Sequence, residues 1–389
     1  MTQVQAFAAL ARLVARGAGL GRPLPLADPD PDPATLLGLA QRHRVILLME
    51  RGWRDLAARG EAGPVPDLIV AAARQEHGRA LATAAALARL ARGLDEAGVK
   101  WLALKGPALA HQLYHDVTPR TARDLDILVD PHDLVPAVEV ARRLGWTIAD
   151  DWQRLAQLSG KYDLELAPAK PGLPPLEIHT RLGHGDMFAP RIDTVSAPHR
   201  VAIAGYAVPV LTGPDLLVYV AWHGARHFWF RLNWLVDLAG LLTATCDGQA
   251  VVSTSRAWGA ERSVRAGSLL AERLLGIDAP ALPAPSGTMM RNVARLVGWA
   301  ETRLRIDPDH DHVVRRPMSF LWTIRETRSD DAGWRGLLPL AKRLWLPREC
   351  DARQVGVGAP LAVHLVARLP LLLNRLVRDV AATAWARRR

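Results

Sequence analysis

The chain has 389 residues, 49% of them hydrophobic and 23% charged, which excludes extended disorder and suffices for a large core in two or three lobes. Its formal charge of +10 favours acidic partners, whether triphosphates, nucleic acid or anionic lipid, without choosing among them. Two cysteines, Cys246 and Cys350, exclude a disulfide framework and a cysteine-rich zinc site. No window reaches the roughly 18 apolar residues of a membrane span, so a soluble, cytoplasmic protein is expected.

Residues 2–16 place Val4, Phe7, Leu10, Leu13 and Val14 at helical spacing and predict an amphipathic helix. Arg12 and Arg16 break the apolar run that a secretory leader would need. After an Asp-Pro tract at 28–33, helical periodicity resumes over 34–59 and 67–97. Residues 1–98 are therefore expected to be an N-terminal helical region.

The pattern changes at 99–104, a short apolar run suited to a buried strand and stopped by Lys105-Gly106-Pro107. Pro107 can open a helix, which is predicted over 108–115. Leu125, Ile127 and Val129 then alternate with Asp124, Asp126 and Asp130, the period of a strand. Asp133 is expected to cap a helix that reaches Leu144 and ends at Gly145. Strands at 162–166 and 176–180 flank a proline-rich turn. Residues 99–212 are thus predicted as a small α/β core, and 213–389 as a C-terminal helical domain. Its helices are placed at 214–245, 249–275, 288–303, 315–325 and 359–385. The fold class is α+β, a small mixed sheet embedded in a mostly helical protein.

Asp124 and Asp126 stand two apart on the predicted strand, so both side chains leave the same face. Adjacent carboxylates repel unless a cation lies between them. Magnesium or manganese suits such a pair, because it is held by one or two carboxylates together with substrate phosphates. The bland alternative is an exposed strand decorated with aspartates, since this short motif is common. The residues upstream favour the metal. Lys105 offers a point charge to a triphosphate, Gly106 allows close backbone approach, and the following helix turns its N-terminus toward phosphate. Arg120 is a candidate phosphate clamp, whereas Arg123 is read as part of a solvated loop. Glu177 is the preferred third carboxylate, on one face with His179, while Asp163 and Glu165 compete for the place. It would either bind metal or accept the proton of an attacking hydroxyl.

Further on, His223, His227, Phe230 and Trp234 fall on one helical stripe, with Arg231 and Asp237 nearby. No Glu follows His223, so the zinc-protease motif is absent. A packed helix and a cleft wall both remain open. Trp222, Trp229 and Trp234 are read as core. In the last helix Arg368, Arg375 and Arg378, with the closing Arg387-Arg388-Arg389, are read as wet arginines on a packed face. Membrane or nucleic-acid contact is the alternative.

The run Leu104-Lys105-Gly106, Leu113-Tyr114, Arg120 and Asp124-Leu125-Asp126-Ile127-Leu128-Val129 resembles the uncharacterised nucleotidyltransferase family of the DNA polymerase β-like superfamily. Glu177 with His179, then His223, His227, Trp234 and Asp237, and the loop at 346–351 continue the resemblance over about residues 35–375. Where the wider superfamily carries Gly-Ser, this chain has Gly106-Pro107, with Asp124 eighteen residues beyond Gly106. The resemblance implies a polymerase β-like core and transfer of a nucleoside monophosphate from NTP to a hydroxyl or phosphate acceptor. A modified peptide is a candidate acceptor, because members occur in lasso-peptide and other natural-product clusters. The alternatives are sugar transfer from a nucleotide-linked donor, a toxin-like tRNA nucleotidyltransferase, and a non-catalytic binding subunit. Nucleic acid suits the charge but has no motif of its own here.

Overall fold

The computed structural model describes residues 2–20, 32–159, 163–182, 190–196, 198–244, 247–285, 287–305, 346, 349–367 and 370–371. The helix expected at 315–325, Cys246 and the arginines from Arg368 onward lie outside these residues. Of the helix expected at 359–385, the described stretch 361–367 is helical. No described helix is long and apolar enough to cross a membrane.

Four helices open the chain: α1 (Gln3–Gly17), α2 (Pro33–His43), α3 (Ile46–Ala58) and α4 (Asp67–Glu96). Thr2 starts α1 with a capping box, its hydroxyl accepting from the Gln5 amide while the Gln5 side chain accepts from its own. The periodicity predicted as one helix over 34–59 is two helices. Arg44 takes φ 57° and closes α2 as a left-handed cap. Apolar spacing carries on across that single residue, which is why the sequence does not announce the break.

A seven-stranded mixed sheet follows, built from β1 (Trp101–Ala103), β2 (Leu125–Val129), β3 (Trp146–Thr147), β4 (Asp163–Pro168), β5 (Leu176–His179), β6 (His199–Ile203) and β7 (Tyr206–Val210). The strand order is β3-β4-β5-β2-β1-β7-β6. β2 is antiparallel to β1 and parallel to β5, and β1 is parallel to β7. Every residue of β1 and β2 is buried, as expected of apolar runs in the middle of a sheet. The β6–β7 hairpin was not foreseen. It turns through Ala204 and Gly205, both at positive φ, the pairing that matches strand twist in a tight hairpin. Asp95, in the last turn of α4, accepts from the Trp101 indole, the Arg200 guanidinium and the Tyr206 hydroxyl, and so fastens α4 to three strands.

Between strands lie α5 (Pro107–Tyr114), α6 (Leu134–Leu144) and α7 (Trp152–Ser159). Asp133 is the N-cap residue of α6, as expected, but its side chain makes no capping bond to the helix. Its carboxylate accepts instead from the Lys100 amide at 2.8 Å, beside β1. Asp130 caps the short 3-10 turn Pro131–Asp133 through the His132 amide. Gly145 ends α6 at φ 103° as predicted.

The second half is helical: α8 (Gly213–Arg226), α9 (Leu232–Thr243), α10 (Gly248–Ala257), α11 (Glu261–Leu275), α12 (Gly287–Arg305) and α13 (Glu349–Val355). The helix predicted at 214–245 breaks where Phe228 and Trp229 take φ 53° and 45°. The one predicted at 249–275 breaks at Gly259, φ 61°. This is the α+β architecture read from the sequence, a mixed sheet within a mostly helical chain.

The chain divides into two compact units. One holds residues 1–147, 166–182 and 190–306, with the helices α1–α6 and α8–α12 and most of the sheet. The other holds 148–165, 183–189 and 307–389. In that second unit Leu155 and Leu158 of α7 bury against Ala352 of α13, with Val357 packed on them, and Asp151 pairs with Arg353 at 3.3 Å.

Candidate metal and nucleotide site

β1 ends where Leu104 donates its amide to the Asp126 carbonyl, and the chain then leaves the sheet through Lys105 and Gly106. Gly106 has φ 68° and ψ −137°, a conformation closed to residues with a Cβ. Crowding is not the reason, because an added Cβ would meet nothing nearer than the Asp124 carbonyl at 3.6 Å. The turn aims the Lys105 side chain back at the sheet, where its ammonium lies 2.9 Å from Asp126 Oδ1.

Asp126 is the centre of the site. Its side chain is 1% exposed in the middle of β2. Parallel pairing sets it directly beside Glu177 of β5, so the two carboxylates share one sheet face. His179, two residues on, follows on the same face. Its Nε2 lies 3.3 Å from Asp126 Oδ1 and 3.5 Å from Glu177 Oε2. Burial opposes the charge on Asp126, but Lys105 and the hydrogen bond from His179 outweigh it, and the carboxyl titrates well below its ordinary range. Burial likewise opposes a charged His179, yet its bonds to Asp126 and Glu177 raise it to about 9. At neutral pH a charged His179 therefore joins Lys105 in balancing Asp126.

That balance leaves one atom unserved: Asp126 Oδ2 is buried and accepts no hydrogen bond. Such an atom costs free energy unless a donor or cation reaches it. Asp126, Glu177 and His179 offer one ligand atom each, all within 4.8 Å of one another. Among the described residues no other group of three His, Cys, Asp or Glu converges so closely. Two carboxylates and an imidazole fit magnesium or manganese, the imidazole leaning toward manganese.

Asp124 is not one of these three, and His179 stands in its place. Pairing with β5 begins at Leu125, whose amide donates to the Pro175 carbonyl, so Asp124 lies just ahead of the pleat that aligns Asp126. It remains part of the neighbourhood. Burial first, then the charges of Asp126, Glu177 and Asp124, drive the phenol of Tyr219 on α8 well above its usual range. All three carboxylates thus act on one hydroxyl.

Arg120 and Asp237 meet each other. The Arg120 Nε donates to both oxygens of Asp237 at 2.9 and 3.0 Å, and Nη2 to Oδ2 at 2.9 Å, with both side chains buried. This fork joins the loop before β2 to α9, and Leu113 of α5 packs on Gly240 one turn further along. Arg123 pairs with Glu76 of α4 at 3.0 Å. Arg231 stands at the start of α9, donating to the Arg42 carbonyl at 3.2 Å and lying over the Phe230 ring.

His223 and His227 lie along the side of α8 that Tyr219 begins. Burial, followed by the charge of Lys105, depresses His223 well below its usual value, and His227 and His179 add to the effect. His223 therefore faces the site as a neutral imidazole. Trp234 is not the core residue that its sequence predicts. It is half-buried, its ring against His223, His227 and Phe230. Trp229 is the core residue, fully buried, and Gly224 admits it: a Cβ there would lie 2.2 Å from the indole nitrogen.

One cation was missed by the sequence reading. Arg44, the left-handed cap of α2, is partly buried with no ion pair among the described residues. Burial depresses its titration while Asp124 and Asp126 draw it up and Arg123 and Arg120 oppose them. Nothing in its local sequence marks it, because folding alone brings α2 to the carboxylates.

A mixed sheet carrying two abreast carboxylates on neighbouring central strands, a lysine at the end of the next, and a helix start behind a glycine define a nucleotidyltransferase-type core. One family profile, described as uncharacterised nucleotidyltransferase, matches residues 29–276, and the chain belongs to that family. No curated protein and no solved structure matches the chain.

Proposed function

We propose that this protein is a metal-dependent nucleotidyltransferase that moves a nucleoside monophosphate from NTP to a hydroxyl or phosphate acceptor, a modified peptide among the candidates. The observation that carries the reading is the group of Asp126, Glu177 and His179 around an unsatisfied buried oxygen. These three would hold magnesium or manganese, with Asp124 beside them. The ion would neutralise charge that builds on the transferred phosphoryl group.

The chain's own residues account for the rest. With a metal held there, Lys105 would no longer be needed to compensate Asp126, its ammonium would be available to the phosphates, and Arg44 would offer a second cation. An acceptor oxygen attacks the α-phosphorus; that bond forms as the bond to the bridging α–β oxygen breaks, and pyrophosphate leaves with the bond's electrons. Glu177, a third exposed and thus open to substrate, accepts the acceptor proton. A nucleoside triphosphate substrate is consistent with a cytoplasmic protein, and no described helix is long and apolar enough to cross a membrane. A non-catalytic subunit would have no use for a buried, half-satisfied aspartate, which argues for an active site.

The test mixes protein, magnesium, α-labelled NTP and a fractionated lysate as acceptor source. Label should move to an acceptor with release of pyrophosphate, and Asp126→Asn should not support it. Label that arrives only from a nucleotide-sugar donor would replace this reading with glycosyl transfer.

A further inference from the structure

The rings at the α8–α9 junction form a half-open box. His223 and His227 stand 5.0 Å apart between centroids, and Trp234 lies 5.4 Å from the first and 5.0 Å from the second. Phe230 meets Trp234 edge-on at 4.8 Å, and the Arg231 guanidinium caps Phe230 at 5.1 Å. All four rings are partly exposed, unlike the fully buried Trp229 beside them. The box therefore is not an extension of the core.

Its position follows from the helix. Tyr219, among the carboxylates, contacts His223 at 6.1 Å, and His227 comes four residues later. Four residues advance about 6 Å along a helix. The box thus begins one turn of α8 beyond Tyr219, whose hydroxyl feels the charges of Asp126, Glu177 and Asp124, and ends about two turns beyond it.

We propose that His223, His227, Phe230 and Trp234 form the nucleobase subsite of the NTP, with the base stacked on Trp234 and its edge bonded by the imidazoles. This rests on the nucleotidyltransferase reading and extends it to residues with no role in the chemistry. Aromatic faces accept any base by stacking, and an imidazole nitrogen can donate to or accept from a base edge. His223, kept neutral by its surroundings, retains both capacities.

Calorimetric titration of the full chain with the magnesium complexes of ATP, GTP, CTP and UTP, and with magnesium tripolyphosphate, separates the base from the phosphates. Trp234→Ala should weaken the best NTP about 10-fold and tripolyphosphate less than 2-fold, while Trp234→Phe keeps most of the affinity. Phe230→Ala reads the same box should Trp234→Ala not fold. Equal losses for NTP and tripolyphosphate, or unchanged NTP binding in the folded variants, overturn the base subsite alone. A wild-type protein that binds neither NTP nor tripolyphosphate overturns both this inference and the reaction on which it rests.

Discussion

Asp126 and Glu177 are paired residue for residue on adjacent parallel strands, so two carboxylates lie abreast in the sheet with only Lys105 and His179 to separate their charges. Removing the Asp126 charge should therefore be felt in stability as well as in metal binding. Asp126→Asn leaves Lys105 without its partner in a site with little water, and breaking such a pair costs on the order of 3 kcal/mol. Urea unfolding should show a lower midpoint with an unchanged slope. Glu177→Gln, at a more exposed position, should cost less.

The same variant tests the charge on His179. Its folded value of about 9 stands above the ordinary 6.5, held there by Asp126 and Glu177 against burial. A raised folded value stabilises the protein fully below about 6.5, and the contribution disappears as pH rises through about 9. In Asp126→Asn the imidazole should titrate lower, and this part of the pH dependence should shrink. Histidine-labelled NMR titration reads it directly. A His179 that still titrates near its wild-type value would remove Asp126 as the cause.

The Arg120–Asp237 fork predicts a structural phenotype. Asp237→Ala strands a fully buried guanidinium, an outcome that costs about 3–5 kcal/mol. Replacing both, as Arg120→Met with Asp237→Leu, should recover much of that loss. Denaturant unfolding of Arg120→Met, of Asp237→Leu and of the double variant measures the coupling. Additive losses would show that the fork carries no interaction energy of its own.

His43 predicts the acid limb of stability. It is buried at the end of α2, its Nδ1 accepting from the Leu232 amide at 3.1 Å, and burial lowers it to about 3. The unfolded chain binds a proton near 6.5 that the folded chain refuses, so stability is lost as pH falls from about 6.5 toward 3. His43→Gln should flatten this limb when unfolding is followed across that range. An unchanged slope would place the acid sensitivity elsewhere.

Much of this was legible in the sequence where a local pattern has a physical cause. The alternation around Asp126 gave β2, the Glu177–His179 pair gave a second strand, and Lys105-Gly106-Pro107 gave the exit from β1. Helix breaks at Arg44, Phe228 and Trp229 were not legible, because left-handed non-glycine residues interrupt the backbone without interrupting apolar spacing. The spacing of Asp124 and Asp126 suggested one shared face, but β2 begins between them, and it is His179 that closes the group. Arg44 and Tyr219 reach the site only through tertiary packing. Trp229, in the α8–α9 turn, is fully buried, whereas Trp234, inside α9, is only half-buried, a difference that packing decides.

Asp126, Glu177 and His179 are arranged to hold a divalent cation. Manganese titrated into the protein and followed by the electron paramagnetic resonance signal of the free ion measures it without any knowledge of the acceptor. The wild type should take up manganese with magnesium competing for the same site, more tightly as pH rises and His179 gives up its proton. Glu177→Gln and Asp126→Asn should lose that uptake while remaining folded. Equal manganese binding by the wild type and both variants would contradict the site itself.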